Sequence, residues 1–296
     1  MRSRELAVEI PSEGLRQLER ALKRQWQRYR TEFQRCQEKL SAKSVHESRV
    51  AARRLLATLE LVKVFLSPGR LKRARRCLKQ HLDIFDDLRD AQVISRAARP
   101  WRRSFPLARM FYDWLLVRES RFTKQAQACV RRLRPKVLGK LVHACREDLR
   151  SSVRKSTYKT AGARLRRSVD RAFSRADHRR ARIHSRRPET IHRTRVAFKK
   201  FRYMVEALAT HSLPMRKEFL QSLRQYQARM GDIQDTQILL GAVDKFLRKR
   251  NITSEPGRKL RQRVLAKRQA LIESYFENMD KMKRFWPPPE DSRRST

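Results

Sequence analysis

The chain has 296 residues, 74 of them Lys or Arg and 30 Asp or Glu, for a formal charge of +44 and a pI near 11.5. A hydrophobic content of 40% excludes a wholly disordered chain, and the low counts of 7 Gly and 11 Pro exclude a turn-rich β protein. Self-repulsion at this charge opposes a compact state, so a polyanionic partner or dense counterions are expected to relieve it; nucleic acid, inorganic polyphosphate and an anionic membrane all qualify as partners.

Taken in chain order, the N-terminal MRSRELAVEIPSEG lacks the apolar stretch of a secretory signal. No window is apolar enough to span a membrane, which makes a cytoplasmic protein the simplest expectation. Helical periodicity then runs from Pro11 to Leu40, Ser44 to Leu66, Arg70 to Ala98 and Pro106 to Arg134. A connector helix is expected near Val137 to Arg150. A second set follows at Ala161 to Arg182, Glu189 to Ala209, Pro214 to Arg250 and Glu255 to Phe285, and residues 287–296 read as a disordered tail. Cys36, Cys77, Cys129 and Cys145 are too dispersed for a metal site and read as reduced, mostly buried thiols.

The two sets are copies of one another. VHESRVAARR from Val45 returns as IHRTRVAFKK from Ile191, 146 residues later, and the register holds from His46 and His192 to Pro68 and Pro214. Beyond Gly69 the spacing drops by one residue. There Lys72 aligns with Lys217, Lys79 with Arg224, and DLRDAQV from Asp87 with DIQDTQI from Asp232. A repeat that survives an indel in a loop is a true duplication. The expected architecture is all-α, with two repeats (about 11–134 and 161–285) forming four-helix bundles related by a pseudo-two-fold axis.

At about 100° per residue, His46, Arg49 and Arg53 share one stripe of their helix, with Arg54 beside it, while Ser48, Ala52, Leu55, Leu59, Val62 and Leu66 form the core face. The second copy sets His192, Arg195 and Lys199, with Lys200 alongside, opposite Phe198, Phe201, Val205 and Leu208. A single charged stripe is ordinarily a solvated face; two with matched residue types point to a shared ligand. Arg offers a planar fork to phosphate oxygens and Lys a mobile point charge, while His gains a proton near an anion. Lys72, Arg76 and Lys79 on the next helix, and Lys217 and Arg224 in its counterpart, extend the candidate anion-binding set. Asp87, Asp90, Asp232 and Asp235 read as partners that orient arginines, rather than as metal or catalytic ligands. Trp26, Tyr29, Trp101, Phe111 and Trp114 read as core rather than base-stacking residues.

No phosphate loop, nucleophile elbow, zincin or dinucleotide motif is present, so no catalytic residue, metal or cofactor is assigned. Nucleic acid, RNA in particular, remains an alternative ligand, and a metal-dependent phosphohydrolase a more distant one.

The two His-containing helices, each followed by a basic helix and a DLRDAQV or GDIQDTQI segment, resemble the conserved histidine α-helical domain, or CHAD. The resemblance spans nearly the whole chain, as one domain over residues 1–286. It implies two pseudo-symmetric bundles around a basic central cavity and binding of inorganic polyphosphate, often at polyphosphate granules and beside polyphosphate-metabolising enzymes. The implied anion ligands are His46, Arg49, Arg53 and Arg54 with His192, Arg195, Lys199 and Lys200, completed by Lys72, Lys79, Lys217 and Arg224. Many relatives carry a fused CYTH-type triphosphate hydrolase; its Glu-x-Glu-x-Lys signature is missing here, so a stand-alone binder is expected.

Overall fold

The computed structural model describes residues 12–133, 135–155, 158–211 and 215–286, and the described residues form ten α-helices. In the first half these are α1 (Ser12–Glu38), α2 (Ala42–Leu61), α3 (Pro68–Asp83), α4 (Asp86–Ala98), α5 (Pro106–Arg132) and α6 (Pro135–Lys155). The second half has α7 (Tyr158–Arg180), α8 (Pro188–His211), α9 (Lys217–Lys249) and α10 (Glu255–Phe276). The expected tail at 287–296 lies outside the described residues, as do Pro11, Arg134 and Pro214 at the ends of expected helices.

The core faces read from the periodicity are the ones the fold buries. Ser48, Ala52, Leu55, Leu59, Val62 and Leu66 of the first copy are buried, as are Phe198, Phe201, Val205 and Leu208 of the second. Tyr29, Trp101 and Phe111 are buried and Trp26 and Trp114 partly so. Cys36 and Cys145 are buried, but Cys129 is exposed on α5.

Two apolar cores result. The larger joins α1, α2, α3, α6, α7, α8 and the first half of α9. The smaller joins the end of α4, α5, the second half of α9 and α10. The helix α2 packs beside α8, its repeat partner. Across that seam Lys200 Nζ reaches Glu60 at 2.6 Å, and Arg54 lies in the field of Glu206. Lys200 is the counterpart of Arg54, and Glu206 of Glu60, so the contacts are reciprocal, as a two-fold relation requires.

Three expected elements differ from the observed ones. The helix expected over Arg70 to Ala98 is broken at Ile84–Phe85 into α3 and α4, whereas its counterpart α9 runs unbroken for 33 residues. At the break the Leu82 carbonyl accepts from Phe85 N–H at 3.1 Å and from Arg49 Nη1 at 2.6 Å, while Arg49 Nη2 holds Asp86 Oδ1 at 2.6 Å. A tertiary donor therefore reinforces the short-range bond that ends the helix. The helices expected to reach Leu66 and Phe285 end at Leu61 and Phe276, each followed by a 3-10 turn. The second of these turns brings Phe285 to 5.8 Å from Phe198 and Trp286 to 5.8 Å from Phe201, ring to ring.

The expected connector is longer than its Val137–Arg150 estimate and is a packed part of the first half. Leu138, Val142, Cys145 and Leu149 line its buried face. A Cβ at Gly139 would stand 3.0 Å from Trp26 Cζ2, tighter than most packed carbon contacts, so the indole must give by a few tenths of an ångström. Alanine there gains about 0.5–1 kcal/mol of helix preference but overpacks the α1–α6 contact by about 1–3 kcal/mol. Gly139→Ala is therefore expected to lower the urea midpoint, with net destabilisation of about 1 kcal/mol.

Candidate functional site

Helix α2 begins at a capping box in which Ser41 and Ser44 exchange side-chain and backbone hydrogen bonds. This fixes the start of the helix, so His46, Arg49 and Arg53 rise along one side over the next turns. Helix α8 begins at Pro188, a residue suited to a first helical turn, and sets out His192, Arg195 and Lys199 in the same way. The stripes of both helices face a single cleft of about 650 Å³. Its opposite wall comes from α4 and α9, which contribute Arg89, Asp90, Gln234 and Asp235. The cleft thus opens where the two cores meet.

The duplicated arginines are held differently. Arg49 is buried, anchored to Leu82 O and Asp86, and its Nε–H has no partner. Position 231 aligns with Asp86 and is glycine; a Cβ there would lie 3.6 Å from Arg195 Nε and 3.7 Å from Nη2. Those are ordinary contact distances; what glycine lacks is the carboxylate that Asp86 offers Arg49, and the buried Nε–H of Arg195 is likewise unpaired. Two buried, unsatisfied cationic donors at equivalent positions are costly features in a folded protein unless a ligand accepts from them.

Crowding and burial also shift the cleft's titratable groups. Burial, reinforced by Arg53, Arg195, Arg49 and Arg202, pushes the Lys199 ammonium down to about 6. Arg53 is lowered to about 10 by burial and by Arg49 and Arg195, against the opposing pull of Tyr203 and Asp86. His46 lies below the usual histidine value through burial and the Arg89, Arg53 and Arg96 charges, with Glu47 opposing. His192 is lowered by burial and then by Arg195 and Lys199, although a hydrogen bond with Gln234 acts the other way. The carboxyl of Asp90 rises to about 6, by burial first and then the Asp86 charge, and Asp235 rises through burial despite Arg195. Each shift favours the form with less charge, as burial does for any ionisable group.

Of the thirteen cationic candidates read from the sequence, the cleft gathers His46, Arg49, Arg53, Arg54, His192, Arg195, Lys199 and Arg224. Arg224 is also bonded to Glu206 at 2.9 Å. Lys200 does not line the cleft: it is tied to Glu60, as is Arg75. Lys72, Arg76, Lys79 and Lys217 also lie outside it and are exposed on α3 and at the start of α9. Of the acids, Asp90 and Asp235 line the wall, Asp232 lines a neighbouring pocket with Arg96 and Lys267, and Asp87 lines neither. Among the described residues no group of three His, Cys, Asp or Glu side chains is placed to hold a metal ion.

The sequence reading missed Arg28, Arg89, Arg202, Tyr203 and Gln227. Arg202 carried a signal, since it continues the 192, 195, 199 stripe by one more turn. It aligns with Leu56, so comparison between the repeats suppressed it. Its guanidinium stacks over Tyr203 at 4.3 Å and bonds Gln227 Oε1 and Glu206 Oε1.

Among the described residues no helix is long and apolar enough to cross a membrane. No curated protein matches the sequence. The chain is similar in fold to the crystal structure of the CHAD domain from the plant Ricinus communis. That pair shares 18% identity and a TM-score of 0.68 over 95% of this chain and 96% of the other. PptA from Streptomyces chartreusis matches at 15% identity and a TM-score of 0.54, over 92% of this chain and 97% of its own. A family model for the CHAD domain matches residues 16–244, covering both duplicated helices and both Asp-containing segments. The chain, all-α and built on a duplicated His-x-x-Arg helix, belongs to the CHAD domain family.

Proposed function

We propose that this protein binds inorganic polyphosphate in the cleft between α2, α8, α4 and α9 and does not hydrolyse it. The observation that carries the reading is the pair of buried, unpartnered Nε–H donors of Arg49 and Arg195, set among His46, Arg53, His192 and Lys199 along one open cleft. A chain of phosphates supplies closely spaced acceptor oxygens with no bases to accommodate, which suits a narrow cationic cleft. The carboxylates on the opposite wall act by holding arginines in place, as Asp86 holds Arg49. Under this reading the protein accompanies polyphosphate stores and presents the polymer to the enzymes that make or consume it.

The test is calorimetric titration with long polyphosphate, tripolyphosphate and RNA at matched phosphate concentration and near-physiological salt, with phosphate release followed in the presence of magnesium. Long polyphosphate is expected to bind at least about tenfold more tightly than RNA, because an RNA held by exposed charge alone loses affinity steeply with salt. Equal affinity for RNA, or phosphate release by the pure protein, would refute the reading.

A further inference from the structure

A second cavity, of about 430 Å³, adjoins the cleft on the α8–α9 side. His192 and Gln234 line both spaces and form their common wall. The two spaces differ in chemistry. The cleft is crowded with cations, whereas the chamber has apolar walls from Pro188, Ile191, Met230 and Ile233, with one acid, Glu189, and one base, Arg268, also in its lining. Two polar atoms of its lining are buried without a hydrogen-bond partner: Nδ1 of His192 and Oε1 of Gln237. A partly open recess of this size, mostly apolar in its accessible lining and holding a few unsatisfied polar atoms, has the usual form of a small-molecule site.

We infer that this chamber receives the base of a nucleoside triphosphate whose phosphates occupy the neighbouring cleft. The inference rests on the reading of that cleft as a phosphate site. The chamber's volume lies within the range of small-molecule sites, and its aliphatic walls suit the faces of an aromatic base. Gln237 Oε1 needs an N–H donor, and the exocyclic amine of adenine is one; a glutamine amide is the side chain that pairs with the adenine edge. His192 stands at the boundary, so one residue meets both the base and the first phosphate. An inorganic phosphate chain leaves the chamber empty. The same protein would then distinguish phosphate chains that end in a nucleoside from those that do not.

The experiment compares ATP, tripolyphosphate and long polyphosphate by calorimetry on the intact protein and on Gln237→Met, whose substitution lies outside the cleft. Tripolyphosphate carries the greater charge, so electrostatics alone favours it over ATP. Burying a base against apolar walls is expected to reverse that order, with ATP binding about tenfold or more tightly than tripolyphosphate. In Gln237→Met the advantage of ATP should shrink about tenfold while both inorganic chains bind unchanged. ATP binding no better than tripolyphosphate, with long polyphosphate still bound, overturns the base chamber alone. Failure of all three to bind overturns both the chamber and the phosphate reading of the cleft.

Discussion

A protein carrying Arg53→Met and Lys199→Met is expected to bind long polyphosphate at least about 100-fold more weakly than the parent while melting about 2–4 °C higher. These residues are repeat counterparts in the centre of the basic wall. Each is held away from its ordinary protonation behaviour by burial and by the charges of Arg49 and Arg195, among others. Burying a cation among cations opposes folding, and methionine fills a similar length without that cost. A ligand that brings negative charge converts the same crowding into attraction, so truncating two of its partners removes several kcal/mol of binding. Affinity and stability must therefore move in opposite directions. Calorimetric titration and a thermal melt on the same preparation check both signs; a variant that binds normally, or melts lower and binds weakly, contradicts the account.

Binding is also expected to take up protons. In the free protein Lys199 is lowered to about 6 and Asp90 raised to about 6, while His46 and His192 lie below the usual histidine value. A bound polyanion raises the pKa of each of these groups, because it favours protonated Lys and His and disfavours carboxylate. The complex therefore holds more protons than the free protein between the free and bound pKa values, and affinity falls as pH rises through that window. For Lys199 the window opens at about 6 and extends upward, so the steepest loss lies above neutrality, at up to about tenfold per pH unit per group. Below about pH 6 the Lys199 contribution flattens and the histidines supply what dependence remains. Titration at pH 7.5 in buffers of different ionisation enthalpy should show uptake of about one proton or more, reduced in a Lys199→Met protein.

The part of this site that the sequence disclosed is the part governed by helical geometry. Repetition at 3.6-residue spacing fixed which sides of α2 and α8 are apolar, and the surviving side carries His46, Arg49, His192 and Arg195 into the cleft. What helical spacing does not contain is the direction in which a stripe points within the assembled molecule. Lys72, Arg76 and Lys79 form as regular a series as the cleft residues, yet the buried face of α3, with Leu71, Ala74 and Leu78, turns them outward. Lys200 is one residue from Lys199, about 100° round the helix, and that rotation takes it to Glu60. The α3–α4 break was equally hidden, because the donor that reinforces it is Arg49 on a different helix. Arg28 lies on a helix that carried no repeated motif at all.

The duplicated design has a consequence for what a polymer finds there. Inorganic polyphosphate reads identically from either end, so under the proposed reading its two opposite threadings through the cleft would be one and the same complex. The halves are not identical, however: Arg53 faces Lys199, Arg89 aligns with Gln234, and Arg49 is fastened to Leu82 and Asp86 where Arg195 lies against Gly231. The two walls therefore hold one phosphate chain with different groups. A chain with two like ends would bind in a single arrangement whichever end entered first, whereas a phosphate chain capped at one end would have two distinct arrangements of unequal energy.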